Sequence, residues 1–213
     1  DSITQALMTC SGLSNCPVNS WSTGTSTTVN SHLLRLKAAG SPATLVGYND
    51  AVTSSLSGAL NGQAQQAVTQ GAQYVTIEIG ANDACTKNVA SMTSTPAFTS
   101  NVSTAIAALG AQGTQIFVAS IPNLQRMYEL SKSKLGARLA WGFLGLCPSM
   151  LANPTSTKAA DVQRRAAVQA RVNEYNVALQ QACATVATCR FDNFAVANFA
   201  FTSAHISTRD YFH

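Results

Sequence analysis

Charge is scarce in this sequence: Asp, Glu, Lys and Arg make up only 10% of its 213 residues, while 46% are hydrophobic. No apolar run approaches the ~18 residues that a membrane-spanning helix needs, and the chain is too apolar for disorder. There is no Cys-x-x-Cys pair, and the three histidines lie far from the cysteines, which argues against a zinc site. The 13 basic residues are scattered, giving a formal charge of only +4. Their one adjacent pair, Arg164-Arg165, falls in a helical pattern and reads as a solvated face, so no nucleic-acid partner is expected. Internal repeats and low-complexity linkers are also missing, as is any Gly-x-Ser-x-Gly tetrad.

What is present fits one domain, residues 1–213, long enough to bury a substantial core. Six cysteines form an even set with short local spacings. Those spacings suit sequential bridges Cys10–Cys16, Cys85–Cys147 and Cys183–Cys189, although six cysteines allow fifteen pairings and buried free thiols are the alternative. Bridges persist in oxidising compartments, so the expectation is a secreted, extracellular protein. The lack of a signal peptide fits a mature or trimmed chain.

Four segments read as strands: Thr44–Asn49, Tyr74–Ile79, Gln115–Ser120 and Thr188–Phe191. The second and third are nearly continuous apolar runs, as strands covered on both faces should be. Helical patterns lie between them. Leu56–Gly71 ends at Gly, Pro96–Gly113 opens on Pro and closes on Gly, and Ala159–Ala184 places Val168, Val172, Tyr175 and Leu179 along one face. Strands alternating with helices predict a parallel α/β sheet wrapped on both sides. Cys10–Ser31 reads as a long polar loop, and Met127–Pro154 as an amphipathic insertion holding Trp141, Phe143, Leu144 and Leu146, a short helix pair over the sheet. That insertion serves either core packing or an acyl-chain site. Because a parallel α/β domain usually begins with a strand, the pattern leads us to expect trimming at both ends, with a first strand ahead of Asp1.

Sites in open parallel sheets lie at the carboxyl ends of the strands. Three candidate groups map there: Asn82 and Asp83 after the strand ending at Ile79, Ser54 past the strand ending at Asn49, and Ser2 after the expected first strand. A serine nucleophile needs a base, and His suits that role near neutrality. His32 falls in a helical stretch and reads as a helix-surface residue, and His205 has no carboxylate nearer than Asp210. His213 has Asp210 three residues before it, a spacing that lets a carboxylate hold one imidazole nitrogen. Asn82 could instead merely cap the next helix, and Asp83 reads as structural.

Together these residues resemble the SGNH hydrolases, also called GDSL esterases and lipases. Asp1-Ser2-Ile3-Thr4 looks like their first block without its leading Gly, Gly80-Ala81-Asn82-Asp83 matches Gly-x-Asn-Asp, and Asp210-Tyr211-Phe212-His213 matches Asp-x-x-His. The stretches YVTIEIGANDACT and STRDYFH are particularly similar to the secreted, disulfide-containing bacterial branch, which supports the sequential pairing. The resemblance implies a three-layer α/β/α sandwich of the flavodoxin-like kind. It also implies a serine esterase or lipase that hydrolyses carboxylic esters through an acyl-Ser2 intermediate without metal or organic cofactor. Ser2 would be the nucleophile, His213 the general base and Asp210 its orienting partner, with Ser2, Ser54 and Asn82 forming the oxyanion hole. Ser54 departs from the pattern, since a Gly usually stands there; a positive φ would cost serine of order 1 kcal/mol. Gly58 is the alternative donor. Lipid, small-molecule or acylated-sugar esters are the expected substrates, and a monomer is the expected state. The alternatives are a carbohydrate deacetylase on the same scaffold and a catalytically silent lipid- or carbohydrate-binding module.

Overall fold

A computed structural model of the chain describes residues 1–42 and 44–212. Its sheet has the order β1-β2-β3, formed by β1 (Tyr74–Ile77), β2 (Gln115–Val118) and β3 (Cys189–Phe191). Both pairings are parallel, with Tyr74 opposite Gln115 and Ile116 opposite Cys189. Parallel neighbours need crossovers, and helices supply them. The helices are α1 (His32–Ala38), α2 (Leu60–Thr69), α3 (Ala81–Ala84), α4 (Thr95–Gly110), α5 (Leu124–Ser131), α6 (Leu135–Leu144), α7 (Pro148–Leu151) and α8 (Ala159–Ala184).

Alternation along β2 builds the layers. Ile116 and Val118 join one buried cluster with Phe98, Val102 and Ile106 of α4 and Val168, Val172 and Leu179 of α8. Phe117, between them, points to the opposite face, where its ring meets His32 of α1 at 5.1 Å. Helices thus cover both faces, as a three-layer α/β sandwich requires. The stripe read from the sequence on α8 is the inner one: Val168, Val172, Tyr175 and Leu179 are all fully buried. At α4 the start lies one residue earlier than the Pro96 signal implies. The Ser94 hydroxyl accepts from the Ala97 N–H as the cap, which places Pro96 inside the first turn, where a missing N–H costs nothing.

The bridges are Cys10–Cys16, Cys85–Cys147 and Cys183–Cys189, the sequential pairing. No helix among the described residues is long and apolar enough to cross a membrane. Two readings need correction. Thr44–Asn49 does not form a strand among its described residues. A cavity of about 360 Å3 separates residues 45–51 from Tyr74–Glu78, so that run has no ladder to join, and extended residues without a ladder are not a strand. The insertion Met127–Pro154 is helical, but it forms α5, α6 and α7, and α5 and α7 pack chiefly on α8 and on each other rather than over the sheet.

Candidate active site

Three loops at the carboxyl end of the sheet are tied to one another by side chains. In the first, residues 1–8 coil into tight turns, with the Gln5 N–H donating to Asp1 O and the Leu7 N–H to Ser2 O. Asp1 accepts the Ile3 N–H on Oδ1 at 2.9 Å, and Ser2 is buried behind that turn. The second loop, residues 49–57, is laced to the first. Asn49 Nδ2 donates to Thr4 O at 3.2 Å, and Gln5 Nε2 donates to Ala51 O. Trp21 Nε1 donates to Thr4 Oγ1 at 3.1 Å and pins the first loop from the other side.

The third loop leaves β1 through Gly80. Its φ is +122°, and a Cβ there would meet Ile121 Cδ1 at 2.5 Å and Phe98 Cε2 at 2.9 Å. Only glycine serves at that point, which is the physical content of the first position in Gly-Ala-Asn-Asp. α3 then carries both polar residues of the block. Asn82 is its second residue and not a cap; Nδ2 donates to Ser55 O at 3.1 Å, leaving its second N–H for another acceptor. Asp83 is fully buried and accepts twice from Ser57, from N–H at 2.9 Å and from Oγ–H at 2.6 Å. Ser57 Oγ in turn accepts from Asn101 Nδ2 of α4 at 3.0 Å. The structural reading of Asp83 therefore has a concrete form: it anchors the second loop onto the third.

Ser54 has φ +66°, the left-handed region, so the loop geometry that favours glycine is present although the residue is not glycine. Gly58 sits in the 3-10 turn Ser57–Ala59, with Asn101 its nearest neighbour beyond the loop, and does not line the cavity described next.

Ser2, Ser54 and Asn82 all line one cavity of about 890 Å3. Its wall is mostly apolar and includes Ile3, Leu7, Leu56, Met127, Leu144 and Leu146. The last three belong to the insertion, which thus both packs and lines. Phe212 reaches the same cavity from the C-terminal turn. In that turn Asp210 is fully buried and accepts the Phe212 N–H on Oδ1 at 3.1 Å, with Tyr211 at φ +59° between them. His213 lies outside the described residues.

His32 departs from the surface reading. It is half-buried, its Nδ1 is 2.8 Å from the Tyr74 hydroxyl, and its ring stands edge-on to Trp21 at 5.3 Å. Burial lowers its pKa, and the Arg35 guanidinium lowers it further. His205 instead accepts the Thr202 N–H on Nδ1 at 3.1 Å, as part of a capping box.

One residue in the cavity wall escaped the sequence reading. Glu78 is 6% exposed, and neither carboxyl oxygen has a hydrogen-bond partner among the described residues. Burial pushes its pKa up to about 7. The signal was available: Glu78 is the one charged residue in the run YVTIEI, where both faces are covered.

A buried serine at a tight turn, an amide donor and a backbone N–H on one cavity, with a buried aspartate in an adjoining turn, suit attack on a carbonyl and stabilisation of the resulting oxyanion. Compared with known families, residues 1–213 match the model of the GDSL-like Lipase/Acylhydrolase family. No curated protein and no solved structure matches the chain.

Proposed function

The chain belongs to the GDSL-like lipase/acylhydrolase family, a family of ester hydrolases, and on that premise we propose that it hydrolyses carboxylic esters through an acyl-Ser2 intermediate. The observation that carries this reading is the convergence of Ser2, Ser54 and Asn82 on one apolar cavity beside the Asp210–Phe212 turn.

Ser2 Oγ attacks the carbonyl carbon of the ester while His213 takes its proton. Asp210 orients the imidazole and stabilises its protonated form. The oxyanion that develops is held by the backbone N–H groups of Ser2 and Ser54 and by the second N–H of Asn82. Collapse expels the alcohol, protonated by His213. Water then attacks the acyl-serine, giving up its proton to His213, and the carboxylic acid leaves with Ser2 restored. The apolar wall favours an acyl chain over a sugar as the part of the ester that enters the cavity. Residues 1–213 act as one domain and as a monomer, and the three bridges favour secretion, since they persist in oxidising surroundings.

Ser2→Ala tests this reading. It should abolish turnover of a small chromogenic ester and labelling by a fluorophosphonate while leaving the circular dichroism spectrum unchanged. Turnover retained by the folded variant would refute the assignment, and an inert Ser2 in the folded wild type would favour a binding module.

A further inference from the structure

α6 presents an apolar face to solvent. Leu135, Leu139 and Phe143 are 64%, 65% and 88% exposed. Spaced i, i+4 and i+8, they fall on one stripe, and the glycines Gly136 and Gly142 on the same side are also exposed. The opposite side is anchored: Ala137 is fully buried and Trp141 nearly so. A surface helix usually places charged or polar residues outward, and here the outward stripe has none. Single exposed apolar residues need no explanation, but three contiguous ones on a helix mark an interaction surface.

The surroundings say which partner suits it. Residues 130–147 contain Lys132, Lys134 and Arg138 and not one acidic side chain. An apolar stripe with aromatic and aliphatic tips, on a segment whose own charges are all positive, is the pattern of a helix that lies in the headgroup layer of an anionic membrane. A twofold contact between two copies would instead set the same cations against each other. The helix is also joined to the site. Near its start a Cβ on Gly136 would lie 2.9 Å from Tyr211 Oη, and Lys134 Nζ stands 5.6 Å from the centre of that ring. At its end Leu144, Gly145 and Leu146 line the cavity that holds Ser2.

We propose that the outward face of α6, with Leu135, Leu139 and Phe143 at its centre, docks the enzyme onto anionic lipid surfaces and so brings the cavity to aggregated lipid esters. This deepens the ester-hydrolase reading and rests on it. The docked helix lies flat, its apolar tips in the acyl boundary and its cations at the headgroups, and acyl chains reach Ser2 past Leu144 and Leu146.

The test is co-sedimentation of the intact protein with phosphatidylcholine vesicles and with vesicles of phosphatidylcholine and phosphatidylglycerol, alongside hydrolysis of a water-soluble short-chain ester. Wild type should bind the mixed vesicles more tightly than the neutral ones, and salt should narrow the difference. The double variant Leu139→Gln/Phe143→Gln, which keeps helix-favouring side chains, should bind mixed vesicles roughly tenfold more weakly or worse, with soluble-ester turnover unchanged. Lys132→Gln/Arg138→Gln should lose only the preference for anionic lipid. Wild type that stays in the supernatant, or a double variant that binds like wild type, would overturn the proposal. So would a concentration-dependent dimer abolished by the double variant without any lipid binding, which would assign the face to a second copy. Vesicle binding without soluble-ester turnover would leave the docking face standing and remove the catalytic reading.

Discussion

Replacing Asp83 by Ala removes a group with no part in the proposed chemistry, and it should still damage both stability and turnover. Asp83 is fully buried, and its carboxylate takes the N–H and the hydroxyl of Ser57 at 2.9 and 2.6 Å. Hydrogen bonds to carboxylates contribute about 1.5–3 kcal/mol each, so the pair is worth about 3–6 kcal/mol, and Ser57 N–H is left buried without a partner. For a domain of this size that loss lowers Tm by roughly 6–24 °C. Ser57 and Ser55 hold the loop that carries Ser54, and Ser55 O is where Asn82 is tethered. A displacement of about 1 Å in a positioned group costs on the order of a hundredfold in rate, so kcat on a soluble ester should fall at least roughly tenfold at temperatures where the variant is folded. Asp83→Asn keeps one acceptor but sets an amide N–H against a donor, and should lose an intermediate amount of both. Scanning calorimetry and steady-state kinetics read the outcome. A Tm within about 2 °C of wild type together with unchanged kcat would refute the anchoring argument.

Two other perturbations follow from particular residues. Ser54→Gly relieves an L-residue held at φ +66°, and should stabilise by up to about 1 kcal/mol without lowering kcat, whereas a lower Tm would show that the serine side chain contributes more than the strain costs. Glu78 is ionised above pH 4.5 when unfolded but only above about 7 when folded, so the folded state binds the extra proton between those values. Stability from this group is therefore greatest below pH 4.5 and falls by about 3 kcal/mol as pH rises to 7. Glu78→Gln should abolish that dependence, and equal pH slopes of Tm for wild type and variant would refute the buried-acid reading.

The helices and strands with a strong period were legible because burial on one stripe or on both faces leaves a one-dimensional trace. That holds for α8 and for the core of β1 and β2. Thr44–Asn49 has the same local composition, but a strand exists only through its neighbour, and no window of sequence reports whether one is within 5 Å. His32 was misread for a related reason: its helix places it outward in one dimension, while Trp21, Tyr74 and Phe117 arrive from distant parts of the chain. Glu78 was visible as an anomaly, though nothing local says that both its oxygens lack partners among the described residues.

The blocks around Ser2, Asn82 and Asp210 were written in the chain itself, because glycine at a φ of +122° and short-range turns leave fixed residue types at fixed spacing. Two of the bridges, Cys10–Cys16 and Cys183–Cys189, join cysteines only six residues apart, which short spacing favours, whereas Cys85–Cys147 spans 62 residues and was set by the fold. Only the tertiary structure decided that Asp83 serves as an anchor, that Ser54 and not Gly58 faces the cavity, and that α6 turns an apolar stripe outward. Each of these depends on which surface of a short segment meets another segment far away in sequence. Local propensity determines that a helix forms, and packing alone determines which of its faces is left in contact with the surroundings.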